Sequence, residues 1–130
     1  MRLRNVHNEP DAVDVLWHLL SERRPDQSIS HKQMPTPQQH RDFIASNPYH
    51  AWYLIDIGEW AGACYLTRQR EIGIGILKKH HGFGYGRMAT QLLMEKHPGQ
   101  FLANVNPNNH ASARMFTELG FNLIQHTYAI

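Results

Sequence analysis

The stretch EIGIGILKKHHGFGYGRMATQ, residues 71–91, joins an alternating apolar segment, a turn rich in basic residues and glycine, and the start of an amphipathic helix. The alternation predicts a strand from Glu71 to Leu77, and the helix is expected to continue to about His97. A glycine turn between a strand and a helix leaves a nest of free backbone N–H groups, and such a nest binds phosphate. The stretch therefore predicts an anion-binding turn in the middle of the fold.

A strand and a helix are expected to open the chain. Arg2–Val6 is expected to form a short strand, and Asn8 or Asp11 to cap a helix that ends near Arg23, because apolar residues recur there at helical spacing. The segment RRPDQSISHKQMP, residues 23–35, breaks this pattern and is interpreted as a loop.

A second helix has a clear start signal. Thr36 is a good N-cap, Pro37 suits the first helical position, and Gln39 completes a capping box. Asn47-Pro48 is expected to end the helix.

The next segments predict an antiparallel meander. Tyr49–Ile57 is rich in aromatic and β-branched residues, and Gly58-Glu59, which separates it from Trp60–Thr67, is typical of a hairpin turn. A second turn at Arg68–Arg70 leads into the strand that starts at Glu71.

The last third of the chain predicts a strand at Phe101–Val105, a helix from Asn109 to Leu119 with Gly120 just after it, and a final strand at Phe121–Ile130. The whole order predicts an α/β fold: a mixed, mostly antiparallel central sheet with helices on both faces. With 130 residues, the chain is expected to be a single domain spanning residues 1–130.

Composition narrows the possible partners. Charged residues make up 18% and hydrophobic residues 42%, as in ordinary globular domains. The formal net charge of +2 is too small, and the basic residues too scattered, to indicate a nucleic-acid partner. No apolar stretch approaches the length of a membrane span, and the first residues are charged, so we expect a cytoplasmic protein with no membrane partner.

The sequence offers neither a disulfide nor a metal site. Cys64 is the lone cysteine and lies in a predicted strand, where a small core residue is expected rather than a nucleophile. The ten histidines include the adjacent His80 and His81, but no ligand set has the spacing that zinc requires. We therefore expect no metal.

Other nucleotide loops fit the glycine turn poorly. Gly84, Gly86 and Ala89 satisfy the dinucleotide fingerprint G-x-G-x-x-G/A, but that fingerprint belongs in a first strand-helix unit and here follows a meander. A nucleoside triphosphate loop needs Gly-Lys-Ser/Thr, whereas Gly86 is followed by Arg87.

Two separated motifs resemble the GNAT superfamily of acyl-coenzyme A dependent N-acyltransferases. HGFGYG, residues 81–86, matches the family's pyrophosphate loop Q/R-x-x-G-x-G/A, with His81 in the place of Gln or Arg. NVNPNNHASARMFTELGF, residues 104–121, is similar to the family's strand, Asn turn and helix ending in Gly-Phe, with Asn109 and Ser112 on its usual positions. The resemblance covers nearly the whole chain.

The resemblance implies acetyl-CoA as co-substrate. The backbone of the strand would meet the pantetheine arm, Asn109 would help to hold it, and the amides of the turn would cradle the pyrophosphate. The alternative for Gly84 and Gly86 is an ordinary tight turn, and for Arg87 a solvated surface charge. The implied coenzyme-binding residues are Ile74, Ile76, His81, Gly82, Phe83, Gly84, Tyr85, Gly86, Arg87, Asn109 and Ser112.

Direct attack of an amine on a thioester needs no protein nucleophile, but a base is useful because an alkyl amine has a pKa of about 10. Acids in the corresponding strand serve as base in several members of the superfamily, which suggests Glu71; its alternative is an exposed charge at a strand start. The family often uses a tyrosine in the last helix as the acid, and that position is Phe116 here. Tyr128 is predicted to substitute, with Tyr85 as the alternative.

The resemblance also suggests an acceptor. The stretches PYHAWYLI and EIGIGI look similar to acetyltransferases of bacterial amino-sugar pathways, so a small-molecule primary amine, an amino sugar or its nucleotide derivative, is expected, followed by a peptide or protein amine. A non-catalytic acyl-coenzyme A sensor and a site for a different anion remain alternatives. Ten residues follow Gly120, enough for one strand where many relatives have two, and an open apolar edge predicts a homodimer.

Overall fold

The computed structural model describes residues 1–23 and 34–130, so the loop predicted at residues 23–35 lies almost entirely outside the described residues. Short 3-10 turns occupy Val6–Asn8 and Lys78–His80. The strands of the described chain are β1 Arg2–Asn5, β2 Ala51–Asp56, β3 Trp60–Leu66, β4 Glu71–Ile76 and β5 Leu102–Ala103. Its α-helices are α1 Ala12–Glu22, α2 Pro37–Ala45, α3 Tyr85–Lys96 and α4 His110–Glu118.

The two N-terminal helices start differently. At α2 the predicted capping box is formed: Thr36 Oγ1 accepts the Gln39 N–H at 3.1 Å, and Gln39 Oε1 accepts the Thr36 N–H at 2.9 Å. At α1 the N-cap is Asp11, which makes no side-chain cap. Its carboxylate instead accepts the Trp60 indole N–H at 3.0 Å, so this residue ties the helix to β3.

The sheet has the order β1-β2-β3-β4-β5. The first three pairings are antiparallel, and β5 lies parallel to β4. Only Glu71↔Leu102 and Ile72↔Ala103 are paired between these last two strands. Because β4 continues to Ile76 after β5 has ended, the second half of β4 has no strand paired on that side within the described residues, and we call this gap beside β4 the cleft.

Two cores flank the sheet, since side chains alternate between the faces of a strand. On β2, Leu54 points to a core that includes Leu16 of α1 and Ile44 of α2, whereas Ile55 points to a core that includes Leu93 of α3 and Phe116 of α4. Leu54 and Ile55 are fully buried, which stabilises the fold by about 1.5–3 kcal/mol each. The helices on both faces of a mixed sheet confirm the predicted fold class.

The predicted final strand is wrong. Residues 121–130 join no ladder, and β5 spans two residues instead of the predicted Phe101–Val105, so the sheet edge gives the tail almost no template. Phe121 packs on the core, but Leu123 and Ile124 are 76% and 77% exposed. Phe121 is therefore the last residue of the tail that the core holds. None of the described helices has the length and apolar character that a membrane crossing needs.

Candidate functional site

The open edge of β4 presents backbone polar groups to the cleft. The Leu77 N–H donates to the Ala61 C=O at 2.8 Å. Since opposed residues of an antiparallel ladder alternate between bonded and non-bonded pairs, the odd-numbered residues of β4 bond to β3. Ile74 and Ile76 therefore turn their N–H and C=O groups away from β3, toward the side where β5 has ended. His81 Nε2 donates to the Ile76 C=O at 2.7 Å, so this histidine holds the end of the edge.

The glycine turn at the end of the cleft has a backbone that only glycine adopts easily. Gly82 and Gly84 have φ of +84° and +79°, and no heavy atom lies within 4 Å of where a Cβ would stand on either. Gly84 is the N-cap of α3, and the N–H groups of Tyr85, Gly86 and Arg87 precede the first helical hydrogen bond, which Met88 donates to Gly84. These N–H groups and the helix dipole make the turn suitable for phosphate.

A groove of about 240 Å³ lies beside the turn, between α3 and α4. Arg87 donates to the Glu118 carboxylate across this groove. The helices approach closely, since a Cβ on Gly86 would stand 3.5 Å from Met115 Sδ. The lining consists of Gly84, Gly86, Arg87, Ala111, Arg114, Met115 and Glu118.

The predicted pantetheine-binding asparagine caps α4. Asn109 Oδ1 accepts the Ser112 N–H at 3.2 Å, and Asn109 is the N-cap residue of the helix. Both residues are half-buried. The Asn109 side-chain oxygen is thus used by the fold, while its amide nitrogen stays available to a ligand.

The Glu71 side chain lies on the face of β4 opposite to the face that carries Ile72 and Ile74, because successive side chains of a strand point to opposite faces of the sheet. The Glu71 carboxylate accepts a hydrogen bond from Asn104 Nδ2, just past the end of β5. This bond bridges the two strands where they begin to separate. The carboxylate is thereby held at the mouth of the cleft.

A pair of tyrosines covers the same face. The Tyr65 ring lies directly over Gly73, where a Cβ would stand 2.0 Å from the ring's Cζ. Its other side stacks on Tyr49, with centroids 4.0 Å apart and an interplanar angle of 6°. Burial raises the pKa of Tyr65, and the Glu71 charge adds to the rise while Arg23 opposes it. Tyr65 is therefore a locked, neutral phenol near Glu71.

The other candidate acids occupy different surroundings. Phe116 is buried with its ring 5.1 Å from that of Phe121, so position 116 of the last helix supplies no phenol hydroxyl. Tyr128 is 90% exposed on the tail and stacks on His126. Tyr85 packs against the core, and the exposed Phe83 stacks on it at 5.7 Å.

Cys64 is a core residue. It is fully buried, and burial raises the pKa of its thiol to about 12, so no thiolate forms at neutral pH. Within residues 1–23 and 34–130, no three His, Cys, Asp or Glu side chains gather in a way that would hold a metal ion.

Of the implied coenzyme-binding residues, Ile74 and Ile76 lie on the edge strand that precedes the turn Gly82–Arg87. Gly86 of this turn lies against Met115 of α4, the helix that Asn109 caps, and Glu71 begins the same edge strand. Tyr128 lies outside this group. Asn104, Arg114 and Glu118 were not predicted from the sequence as site residues. For the last two a signal existed, since their spacing of four residues puts them on one face of α4.

The family model for the acetyltransferase (GNAT) family matches residues 13–121. The chain belongs to this family. The resemblance carried by the glycine turn and the Asn109 helix is therefore confirmed. A comparison with curated protein sequences gave no match.

Solved structures share the GNAT fold. A spermidine N-acetyltransferase chimera from Vibrio cholerae and hSSAT has 15% identity and a TM-score of 0.75, covering 97% of this chain and 84% of that one. A ribosomal-protein-alanine N-acetyltransferase from Brucella melitensis has 13% identity and a TM-score of 0.71, covering 94% and 85%. A putative acetyltransferase from Salmonella typhimurium, solved with its cofactor acetyl-CoA, has 17% identity and a TM-score of 0.66, covering 92% and 77%.

Proposed function

We propose that this chain transfers the acetyl group of acetyl-CoA to a primary amine of a small molecule, in the cytoplasm and as one domain of residues 1–130. The main support is the open edge of β4, which leads through the short 3-10 turn Lys78–His80 into the glycine turn. Family membership supports the same reaction class.

The cleft fits the parts of coenzyme A in order. Ile74 offers its N–H and C=O groups to the amides of the pantetheine arm, Ile76 offers its N–H group because its C=O is held by His81, and the Asn109 amide faces the same ligand from α4. The N–H groups of Gly82–Arg87 hold the pyrophosphate, because α3 begins there and the turn carries no Cβ at Gly82 or Gly84.

Glu71 is the proposed general base. Bound acetyl-CoA supplies the acetyl group as a thioester, which a neutral amine attacks directly. An alkylammonium has a pKa of about 10, so it must lose a proton first. Asn104 holds the Glu71 carboxylate at the cleft mouth, where it accepts that proton. The buried Cys64 thiol takes no part as a nucleophile.

Tyr128 stays a prediction as the proton donor to the departing thiolate, because its side chain is 90% exposed on the tail. A thiol with a pKa near 8.5 is a tolerable leaving group without such help. Tyr128→Phe tests the role: a fall in thiol release with unchanged acetyl-CoA affinity supports it, and an unchanged rate removes it.

An amino sugar or its nucleotide derivative is the proposed acceptor. The face around Glu71 combines the phenol groups of Tyr49 and Tyr65 with the Asn104 amide, which suits a hydroxyl-rich amine. A peptide or protein amine is the alternative, and a spermidine-type polyamine belongs in the same screen, since solved relatives carry both names.

A non-catalytic acyl-coenzyme A sensor is the second candidate, and Phe116 in place of a tyrosine favours it. Release of free thiol with any amine of a panel of amino sugars, polyamines and peptides supports the enzyme. Binding of acetyl-CoA without release, across the whole panel, supports the sensor.

A homodimer remains part of the proposal. The tail exposes Leu123, Ile124 and Ile130, and β5 ends the sheet with an open edge. A solution mass that stays monomeric as concentration rises would contradict it.

Titration calorimetry with acetyl-CoA tests the coenzyme site. We expect Gly84→Val to abolish binding because the turn no longer admits phosphate. His81→Ala should weaken binding only mildly, since its ring holds the Ile76 carbonyl and not the ligand. Equal losses in both variants would show that the amides are not the main binding groups, and no binding by the wild-type protein at high micromolar concentration would contradict the coenzyme site altogether.

A further inference from the structure

The groove between α3 and α4 contains more charge than a pyrophosphate turn needs. Arg87 enters it from the first turn of α3, and Arg114 and Glu118 enter it one helical turn apart on α4. The amides of the glycine turn already suit two phosphates. The two guanidinium groups are therefore additional.

These charges are unequally paired. Arg87 is bonded to Glu118, and their side chains are 40% and 52% exposed. An ion pair so exposed to water is weak and exchanges its partner readily. The Arg114 guanidinium makes no hydrogen bond or ion pair with any described residue.

Coenzyme A carries a third phosphate, on the ribose 3′ position, beyond the pyrophosphate. We propose that Arg114 binds this 3′-phosphate and that Glu118 lowers the affinity of the groove by holding Arg87 until a phosphate replaces the carboxylate. The inference rests on the proposed coenzyme function and adds to it a residue that distinguishes coenzyme A from its 3′-dephospho form.

A phosphate that binds in this groove exchanges partners with the charges already there. A phosphate entering the groove gains the free Arg114 at once, but it must displace Glu118 to gain Arg87. The displaced carboxylate then lies near the phosphate and repels it. A charge-assisted bond is stronger than a neutral one, so the loss of Arg114 should weaken coenzyme A binding about tenfold.

The experiment is calorimetry at low ionic strength with coenzyme A and 3′-dephospho-coenzyme A. We expect the wild-type protein to prefer coenzyme A about tenfold. Arg114→Gln should bring the two Kd values together by weakening coenzyme A alone. Glu118→Gln should raise the affinity for both ligands, because the freed Arg87 borders the turn. The charge-matched controls Arg41→Gln on α2 and Glu95→Gln on α3 should change neither Kd, and thermal unfolding checks that each variant is folded.

Each calorimetric result that departs from these expectations contradicts a different part of the proposal. An equal loss for both ligands in Arg114→Gln would show that Arg114 does not read the third phosphate. Unchanged or weaker binding in Glu118→Gln would overturn the competition, because the ion pair would then support the site. Binding of neither ligand by the wild-type protein would instead contradict the proposed function itself.

Discussion

On the side of α3 and α4, the site is made from backbone: the open edge of β4, a turn with two glycines at positive φ, and the first N–H groups of a helix. On the side of α1 and α2 it is made from side chains of two strands, β3 and β4, and of the segments before β2 and after β5, with Tyr65 pressed between Gly73 and Tyr49. The first arrangement serves any ligand with phosphates. In the proposed function the second would contact the acceptor amine, so the two sides should respond differently to substitution.

The largest effect is expected at Glu71. Glu71→Gln keeps the bond from Asn104 possible but removes the proton acceptor, so thiol release should fall about 100-fold. Acetyl-CoA affinity should not change, since the residue lies on the other face of β4. Steady-state kinetics with the best amine of the panel and calorimetry measure the two quantities. A rate within twofold of wild type would show that Glu71 is only a surface charge. It would also contradict the assignment of coenzyme binding to one side of the sheet and proton transfer to the other.

The second effect is on stability. An Ala Cβ at position 73 would stand 2.0 Å from Tyr65 Cζ, so Gly73→Ala must push the ring out of its stack on Tyr49. We expect the free energy of unfolding in urea to fall by about 1–3 kcal/mol. Gly75→Ala is the matched control, because its Cβ meets only Leu19 Cδ2 at an ordinary 3.6 Å. Equal losses of unfolding free energy at both positions would mean that any side chain on this part of β4 is destabilising, whether or not it contacts Tyr65.

The third comparison, between Gly84→Ala and Gly58→Ala, distinguishes a loss of stability caused by backbone strain from a loss of acetyl-CoA affinity. Gly84→Ala has open space for its Cβ but a φ of +79°, which costs about 1–2 kcal/mol. Gly58 in the β2–β3 turn has a φ of +99° and open space as well, so Gly58→Ala should lose similar stability. Only Gly84→Ala should also lose acetyl-CoA affinity. If Gly58→Ala lowers that affinity equally, the effect is one of general stability.

The smallest effect belongs to the far end of α3, on the coenzyme side but away from the turn. Burial, with the nearby charges of His50, Arg70 and Lys96, holds the pKa of His97 below its usual value. Neutral His97 Nε2 accepts the Tyr53 hydroxyl at 2.7 Å.

This lowered pKa makes stability depend on pH. Since the unfolded chain takes up the proton first, stability should fall as pH drops below about 6.5 and continue to fall down to the lowered pKa. His97→Gln should flatten this part of the profile in thermal unfolding between pH 7.5 and 5. A profile that keeps its slope in the variant would assign the effect to another group.

The sequence was informative where a signal is local. Thr36 and Gln39 lie three residues apart and bond to each other, and Gly84 fixes the backbone at which α3 begins. The sequence was uninformative about contacts between residues that lie far apart in the chain. The pairing of Asn104 with Glu71 depends on how β4 and β5 diverge. The strand predicted at Phe121–Ile130 had the right residue pattern but lacked a partner, because β5 ends after two residues.

The brief pairing of β5 with β4 also divides the molecule into parts of unequal resistance to opening. Strands β1 to β4 are joined by long antiparallel ladders, whereas only two residue pairs join β5 to β4. Local opening should therefore begin at β5 and α4, and amide hydrogens there should exchange with solvent before those of the meander. A ligand in contact with both Ile74 and Asn109 would join the two parts, and slower exchange at residues 102–118 would report its binding without any measurement of acetyl transfer.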